Sequence, residues 1–220
     1  MKILTIYSDS HKELYQKYFL PSFNLYLNKH ELIPIKVAQK GTGEYEAPGF
    51  DKTMMDKINS IIDNLDVKDD RLLCYADCDV QFFGDINVNE LMGKYDIVFQ
   101  MDSDDIYCAG FFICNQSYKV LNFFKLVRDE LGRRFNGVIH DQIIINDLIR
   151  NNQHGIEVGK LDKNEFWTIA NSIGGVWNGT AEFNVPSNLI VHHATWTIGI
   201  DNKLKLLNLT RQKYNDINNV

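Results

Sequence analysis

The chain has 220 residues, 45% of them hydrophobic and 24% charged, with a formal net charge of −6. That length holds one domain with a substantial core. The acidic balance argues against a general nucleic-acid binder, which needs a basic face, and no stretch approaches the ~20 apolar residues of a membrane span.

In chain order, Lys2 to Tyr7 reads as a first strand. It is too short and too soon polar for a secretory signal, so a cytoplasmic protein is expected. Ser10-His11-Lys12-Glu13 has the spacing of a capping box and predicts a helix to about Leu20, where Pro21 intervenes. Glu31 to Ala38 predicts a second strand, and the Gly- and Pro-bearing segment Gly41 to Gly49 a loop. Phe50 to Leu65 carries Phe50, Met54, Ile58, Ile61, Ile62 and Leu65 at helical spacing. Leu72 to Ala76 is apolar on both faces, the mark of a central, doubly covered strand. A short helix is expected over Ile86 to Met92, strands over Tyr95 to Gln100 and Ala109 to Asn115, and helices over Val120 to Leu131 and His140 to Arg150. Leu189 to His193 predicts a late strand and Lys203 to Tyr214 a terminal helix. Alternation in the first hundred residues followed by mixed order predicts an α/β sheet of Rossmann type with an irregular second half. The cysteines, Cys74, Cys78, Cys108 and Cys114, form no CxxC pair, so buried reduced thiols are expected in place of a zinc site.

Chemistry concentrates first at Asp77-Cys78-Asp79, between an apolar run ending at Ala76 and another starting at Val80. Residues two apart on an extended chain face one way, their Cα atoms ~6.6 Å apart. Two carboxylates aimed at one point call for a divalent cation between them. His192 and His193 end the late strand; adjacent strand residues face opposite ways, so one imidazole is expected to join the carboxylates. Nitrogen with oxygen ligands suits Mn²⁺ better than Ca²⁺. His140-Asp141-Gln142, preceded by Gly137-Val138-Ile139, opens an apolar helix. Asp141 either contacts or activates a hydroxyl, or stabilises the helix N-terminus; both readings stand. Ala109-Gly110 at a strand start permits a ligand to approach the backbone, or simply makes a tight turn. Of Asp102, Asp104 and Asp105, one is expected to touch ligand. Phe166-Trp167 through Gly179 suits sugar stacking or, somewhat better, core packing.

In order along the chain, these residues resemble the GT-A-type nucleotide-diphospho-sugar glycosyltransferases. The family pattern is a Lys-bearing helix, a strand ending in D-x-D, an Asn-Ala-Gly-Phe strand, Asp-Gln opening a helix, then His-Ala-Asn-Trp followed by Gly and Lys. It is matched here by Lys57, Asp77-Cys78-Asp79, Cys108-Ala109-Gly110-Phe111, Asp141-Gln142, and His193-Ala194-Thr195-Trp196 with Gly199 and Lys203. The resemblance implies a single GT-A (Rossmann-like) domain over 1–220, its mixed central sheet flanked by helices, with a nucleotide-binding half of about 1–100 and an acceptor and donor-sugar half of about 101–220. It implies transfer of a sugar from a UDP- or GDP-sugar to the hydroxyl of a glycan or glycoprotein, as in hexosyltransferases, with Mn²⁺ or Mg²⁺. Asp77, Asp79 and His193 would be the metal ligands, with His192 the alternate. Thr5, Tyr7 and Ser8 would line the base pocket, and Lys57 and Lys203 would face the nucleotide or its phosphates. Asp77 would also assist at the ribose or sugar. Ala109, Gly110, Asp141 and Gln142 would surround the donor sugar, the last two as catalytic residues. Cys108 and Thr195 stand where the family usually has Asn, which bears on the sugar accepted.

Three rival readings fit the residues less well. A haloacid dehalogenase-type phosphatase also uses an apolar strand and Asp-x-Asp, but near the N-terminus and with a later acidic metal motif. A nucleotidyltransferase would need a Gly-rich basic loop after the first strand. A non-catalytic carbohydrate-binding domain would need neither nucleotide nor metal.

Overall fold

A computed structural model describes residues 1–39, 49–134, 140–152 and 155–219. Most of the expected loop at 41–49, and Gly137-Val138-Ile139, lie outside them. The elements are β1 (Lys2–Tyr7), α1 (Lys12–Leu14), α2 (Leu20–Tyr26), β2 (Glu31–Lys36), α3 (Phe50–Asn64), β3 (Leu73–Ala76), β4 (Val80–Phe82), α4 (Val88–Met92), β5 (Ile97–Ser103), β6 (Ile106–Cys114), α5 (Tyr118–Arg133), α6 (Asp141–Arg150), β7 (Val158–Lys160), β8 (Phe166–Thr168), α7 (Ala170–Ile173), β9 (Val191–His193) and α8 (Ile200–Asn218).

Among the described residues the main sheet has the order β2-β1-β3-β6-β5-β7, and a small sheet the order β4-β9-β8. β1 pairs in parallel with β2 and β3, whereas β6 runs antiparallel to β3 and β5. This is the expected mixed α/β architecture in one domain. β3 shows why: Leu73 and Tyr75 enter the apolar layer beneath α3 and α5, while Cys74 and Ala76 enter the opposite layer, shared with Phe19, Val80 and Phe111. In α5, Val120, Phe123, Phe124, Val127 and Leu131 repeat at three- and four-residue intervals and are all buried. Ser117 caps that helix, its hydroxyl accepting from the Val120 N–H.

The first helix departs from expectation. Helical backbone runs from Lys12 through Pro21 to Tyr26, with a π-helical stretch at Tyr15–Phe19. Pro21 falls in the first turn after that stretch, where its missing N–H and fixed φ are tolerated. Nor does Ser10 cap the helix. Its hydroxyl is engaged with Ser8 Oγ, His11 Nδ1 and Gln39 Oε1 in the loop after β1. The segment around Trp167 forms β8 and α7. Trp167 and Trp177 are buried in a third apolar cluster under α8, so their rings pack the core. The four cysteines are buried and free, and no helix among the described residues is long and apolar enough to cross a membrane.

His192 lies fully buried in the small sheet, in register with Gln81 on one side and Trp167 on the other, with its ring centroid 5.0 Å from that of Trp167. Neither ring nitrogen has a hydrogen-bond partner. Burial, then the neighbouring His193, pushes its pKa down to about 3. The folded state therefore holds this ring neutral, while the unfolded chain takes up a proton below its ordinary value of 6.5. Stability is lost as pH falls through that window, by about 2 kcal/mol between pH 7 and pH 5. His192→Leu is expected to flatten this part of the pH–stability curve in urea unfolding; an unchanged slope would contradict the assignment.

Candidate active site

The chain changes sheet at Asp77-Cys78-Asp79, leaving the main sheet at Ala76 and entering the small one at Val80. The two carboxylates sit on a tight turn and not on extended chain: the Val80 N–H donates to the Asp77 carbonyl at 3.0 Å. Backbone bonds fasten this turn to two strands. The Asp77 N–H donates to the Gly110 carbonyl on β6 (2.8 Å), and the Ala194 N–H, just past β9, donates to the Asp79 carbonyl (3.1 Å). The late histidine is thereby brought beside the two carboxylates.

Asp77, Asp79 and His193 each offer one ligand atom, and these atoms lie within 4.8 Å of one another. His193 Nε2 is 3.2 Å from Asp79 Oδ1 and 3.7 Å from Asp77 Oδ2. The other polar atom of each ligand is held from outside. Asp77 Oδ1 accepts from the Tyr75 hydroxyl at 2.6 Å and lies 3.5 Å from Lys57 Nζ. Asp79 Oδ2 is ion-paired with Lys203 Nζ. His193 Nδ1 is 3.1 Å from Gln100 Oε1. Three inward atoms thus converge while their three outward counterparts are fixed, a donor set that fits a cation such as Mn²⁺.

The electrostatics are consistent with that arrangement. Burial alone would push the Asp79 carboxyl up, but the Lys203 ammonium and the His193 imidazole outweigh it and hold it well below the usual carboxylate range. Burial, aided by Asp77, pushes the Tyr75 phenol well up, so it stays a proton donor. Lys57 is 3% exposed, in α3, and makes a 2.9 Å ion pair with Asp141 at the start of α6. Burial opposes its charge, but Asp141 and then Asp77 outweigh that and raise its pKa. Asp141 is likewise held low by Lys57 and His140 against the effect of burial.

Gly110 also meets a requirement that its sequence did not suggest. A Cβ there would lie within 2.9 Å of His193 Nε2 and closer still to His193 Cε1 and Asp77 Oδ2. The hydrogen side chain leaves room for two of the three converging side chains. The Gln142 amide is used at both ends: its Oε1 accepts from the Ala109 N–H at 3.1 Å and its Nε2 donates to Asp102 Oδ2 at 3.0 Å. Asp102 is therefore the inward member of the Asp102, Asp104, Asp105 group, buried and with a raised pKa caused by that burial. Asp104 is turned outward to Lys163.

All of this surrounds a cavity of about 670 Å³. Its lining includes Tyr7, Ser8, His11, Val37, Gln39 and Phe50 from the first part of the chain, Val176, Thr195, Trp196, Thr197 and Ile198 from the last, and the acidic turn. Tyr7, Ser8, Lys57, Asp77, Asp79, Ala109, Gly110, Asp141, Gln142, His193 and Lys203 are brought together on its wall. Thr5 is not among the lining residues; it is fully buried within β1. Trp196 adopts φ +55°, a left-handed conformation unusual for a bulky residue, and its carbonyl accepts from the Trp177 N–H at 2.8 Å. Sequence reasoning did not single out Tyr75 and Gln100. The available signal was a lone polar group within each of two apolar strands, Leu73-Cys74-Tyr75-Ala76 and Ile97-Val98-Phe99-Gln100-Met101.

Among known protein families, the model of the nucleotide-diphospho-sugar transferases matches residues 15–207. No curated protein matches the chain.

Two outcomes follow from this geometry. Gly110→Ala is expected to weaken Mn²⁺ binding by calorimetry about 10-fold or more, because the new methyl displaces His193 and Asp77; wild-type affinity would show that the contact yields. Lys57→Met leaves Asp141 buried without its partner and is expected to cost about 3–5 kcal/mol in denaturant unfolding. Lys52→Met, which loses only a surface pair with Asp56, should cost under ~1 kcal/mol.

Proposed function

The chain belongs to the nucleotide-diphospho-sugar transferase family, and on that premise we propose that it is a metal-dependent hexosyltransferase acting on a UDP- or GDP-sugar. The acceptor would be a hydroxyl of a glycan or glycoprotein. The observation that carries this reading is the convergence of Asp77 Oδ2, Asp79 Oδ1 and His193 Nε2 on the wall of one cavity. Those residues would hold Mn²⁺, or Mg²⁺, which when bound supplies Lewis-acid stabilisation to the diphosphate oxygens. The buried free cysteines support a cytoplasmic setting.

The nucleotide would occupy the part of the cavity lined by Tyr7 and Ser8, in the half of about 1–100. The sugar would lie against Ala109, Gly110, Asp141 and Gln142, in the half of about 101–220. Lys203, from the first turns of α8, would bring a positive charge to the diphosphate leaving group and so favour bond cleavage. Lys57 adds a second, buried charge. Asp141 is an anion locked to Lys57, and a carboxyl held so low is a weak proton acceptor at neutral pH. That supports a role in fixing Lys57 and contacting sugar hydroxyls over a role as general base. Gln142, tied to Ala109 and Asp102, supports the backbone on which the sugar would rest. Cys108 stays a thiol, its pKa pushed well up by burial and then by Asp102. It would meet the sugar as a small, weakly polar surface.

The test is turnover of a panel of UDP- and GDP-sugars with Mn²⁺ present and after chelation. Asp79→Asn is expected to lower turnover roughly 10²-fold or more with the circular dichroism spectrum unchanged. Equal turnover by a folded Asp79→Asn, or full activity after chelation, would overturn the reading. Phosphate release from a generic phosphoester should be absent.

A further inference from the structure

We propose that Gln100 is a positioning residue that sets the His193 tautomer and so makes Nε2 a ligand. The proposal rests on the metal-site reading above and extends it to a side chain remote from the carboxylates. Gln100 is fully buried in β5 of the main sheet, yet both ends of its amide reach the small sheet. It sits where the β5–β6 register breaks, between the pairs Phe99↔Phe112 and Met101↔Tyr107. Such irregularities re-aim a side chain.

The amide cannot be read the other way round. Its Nε2 donates to the Trp167 carbonyl on β8 at 3.2 Å, and a backbone carbonyl only accepts. Oε1 is therefore the atom facing His193 Nδ1 at 3.1 Å. Oε1 also only accepts, so Nδ1 must carry a proton. In the neutral ring that leaves the lone pair on Nε2, the nitrogen facing Asp79 Oδ1 and Asp77 Oδ2. With a metal bound, that lone pair would be its ligand; without one, a proton on Nε2 takes the same place between the ring and the carboxylates. The only other polar atom recorded near Nδ1 among the described residues is Cys108 Sγ at 3.5 Å, a weak partner. Trp167 and His193 lie on adjacent strands, so one amide fixes the ring to the sheet that carries it.

Two measurements test this. In wild-type protein with ¹⁵N-labelled histidine and Cd²⁺ as a diamagnetic probe, long-range ¹H–¹⁵N spectra assigned with His193→Gln are expected to show a proton on Nδ1 and the metal on Nε2. The reverse assignment overturns the proposal. Gln100→Met, of similar length but with no acceptor, is expected to weaken Mn²⁺ binding about 10- to 100-fold by calorimetry. A folded Gln100→Met that binds Mn²⁺ as wild type does would also overturn it. Asp79→Asn separates the two levels: if that variant keeps wild-type Mn²⁺ affinity, the metal-site reading has failed, whereas loss there with no loss in Gln100→Met refutes the role of Gln100 alone. Should Gln100→Met not fold, the wild-type spectrum decides.

Discussion

Everything at the centre of this molecule depends on holding two like charges together at a half-buried turn. Asp77 and Asp79 stand two residues apart on one turn, with His193 Nε2 against them. Left alone, such groups would spread apart or take up protons. Here they are held by two kinds of restraint: backbone bonds that tie the turn to β6 and to the end of β9, and a separate partner behind each ligand. The apolar layers on both faces of β3 make the support rigid, because close-packed interiors yield little to a displaced side chain.

The positive charges follow from the same constraint. Lys57 and Lys203 both reach the cavity, one from α3 and one from α8. Each is drawn in by a carboxylate that would otherwise be costly to bury. The acidic chain therefore still carries two cations on its cavity wall, although its net charge gives no hint of it.

Much of this was legible in the sequence because the relevant signals are local. The apolar run ending at Ala76, the helical spacing from Phe50 and the order of Lys57, Asp77, Gly110, Asp141, His193 and Lys203 all survive as strands, helices and cavity wall. What was not legible depends on register and distance. Gln100 and Tyr75 read as isolated polar residues, because their partners lie 93 and two positions away on surfaces that only folding defines. The capping-box pattern at Ser10 failed because that hydroxyl had a competing partner, Gln39, from the segment after β2. Pro21 was read as a terminator because a π-helical turn leaves little trace in residue type. β7 and β8 have three residues each, too few to show a period.

The switch of the chain from one sheet to the other at Asp77-Cys78-Asp79 has a mechanical consequence. Asp77 remains attached to the main sheet through the Gly110 carbonyl, whereas His193 belongs to β9 of the small one. An ion seated among these ligands would act as a rivet across the seam between two layers. Loading the site would then stiffen the whole molecule along that seam, and the energy of capturing the ion would be shared between chemistry and cohesion.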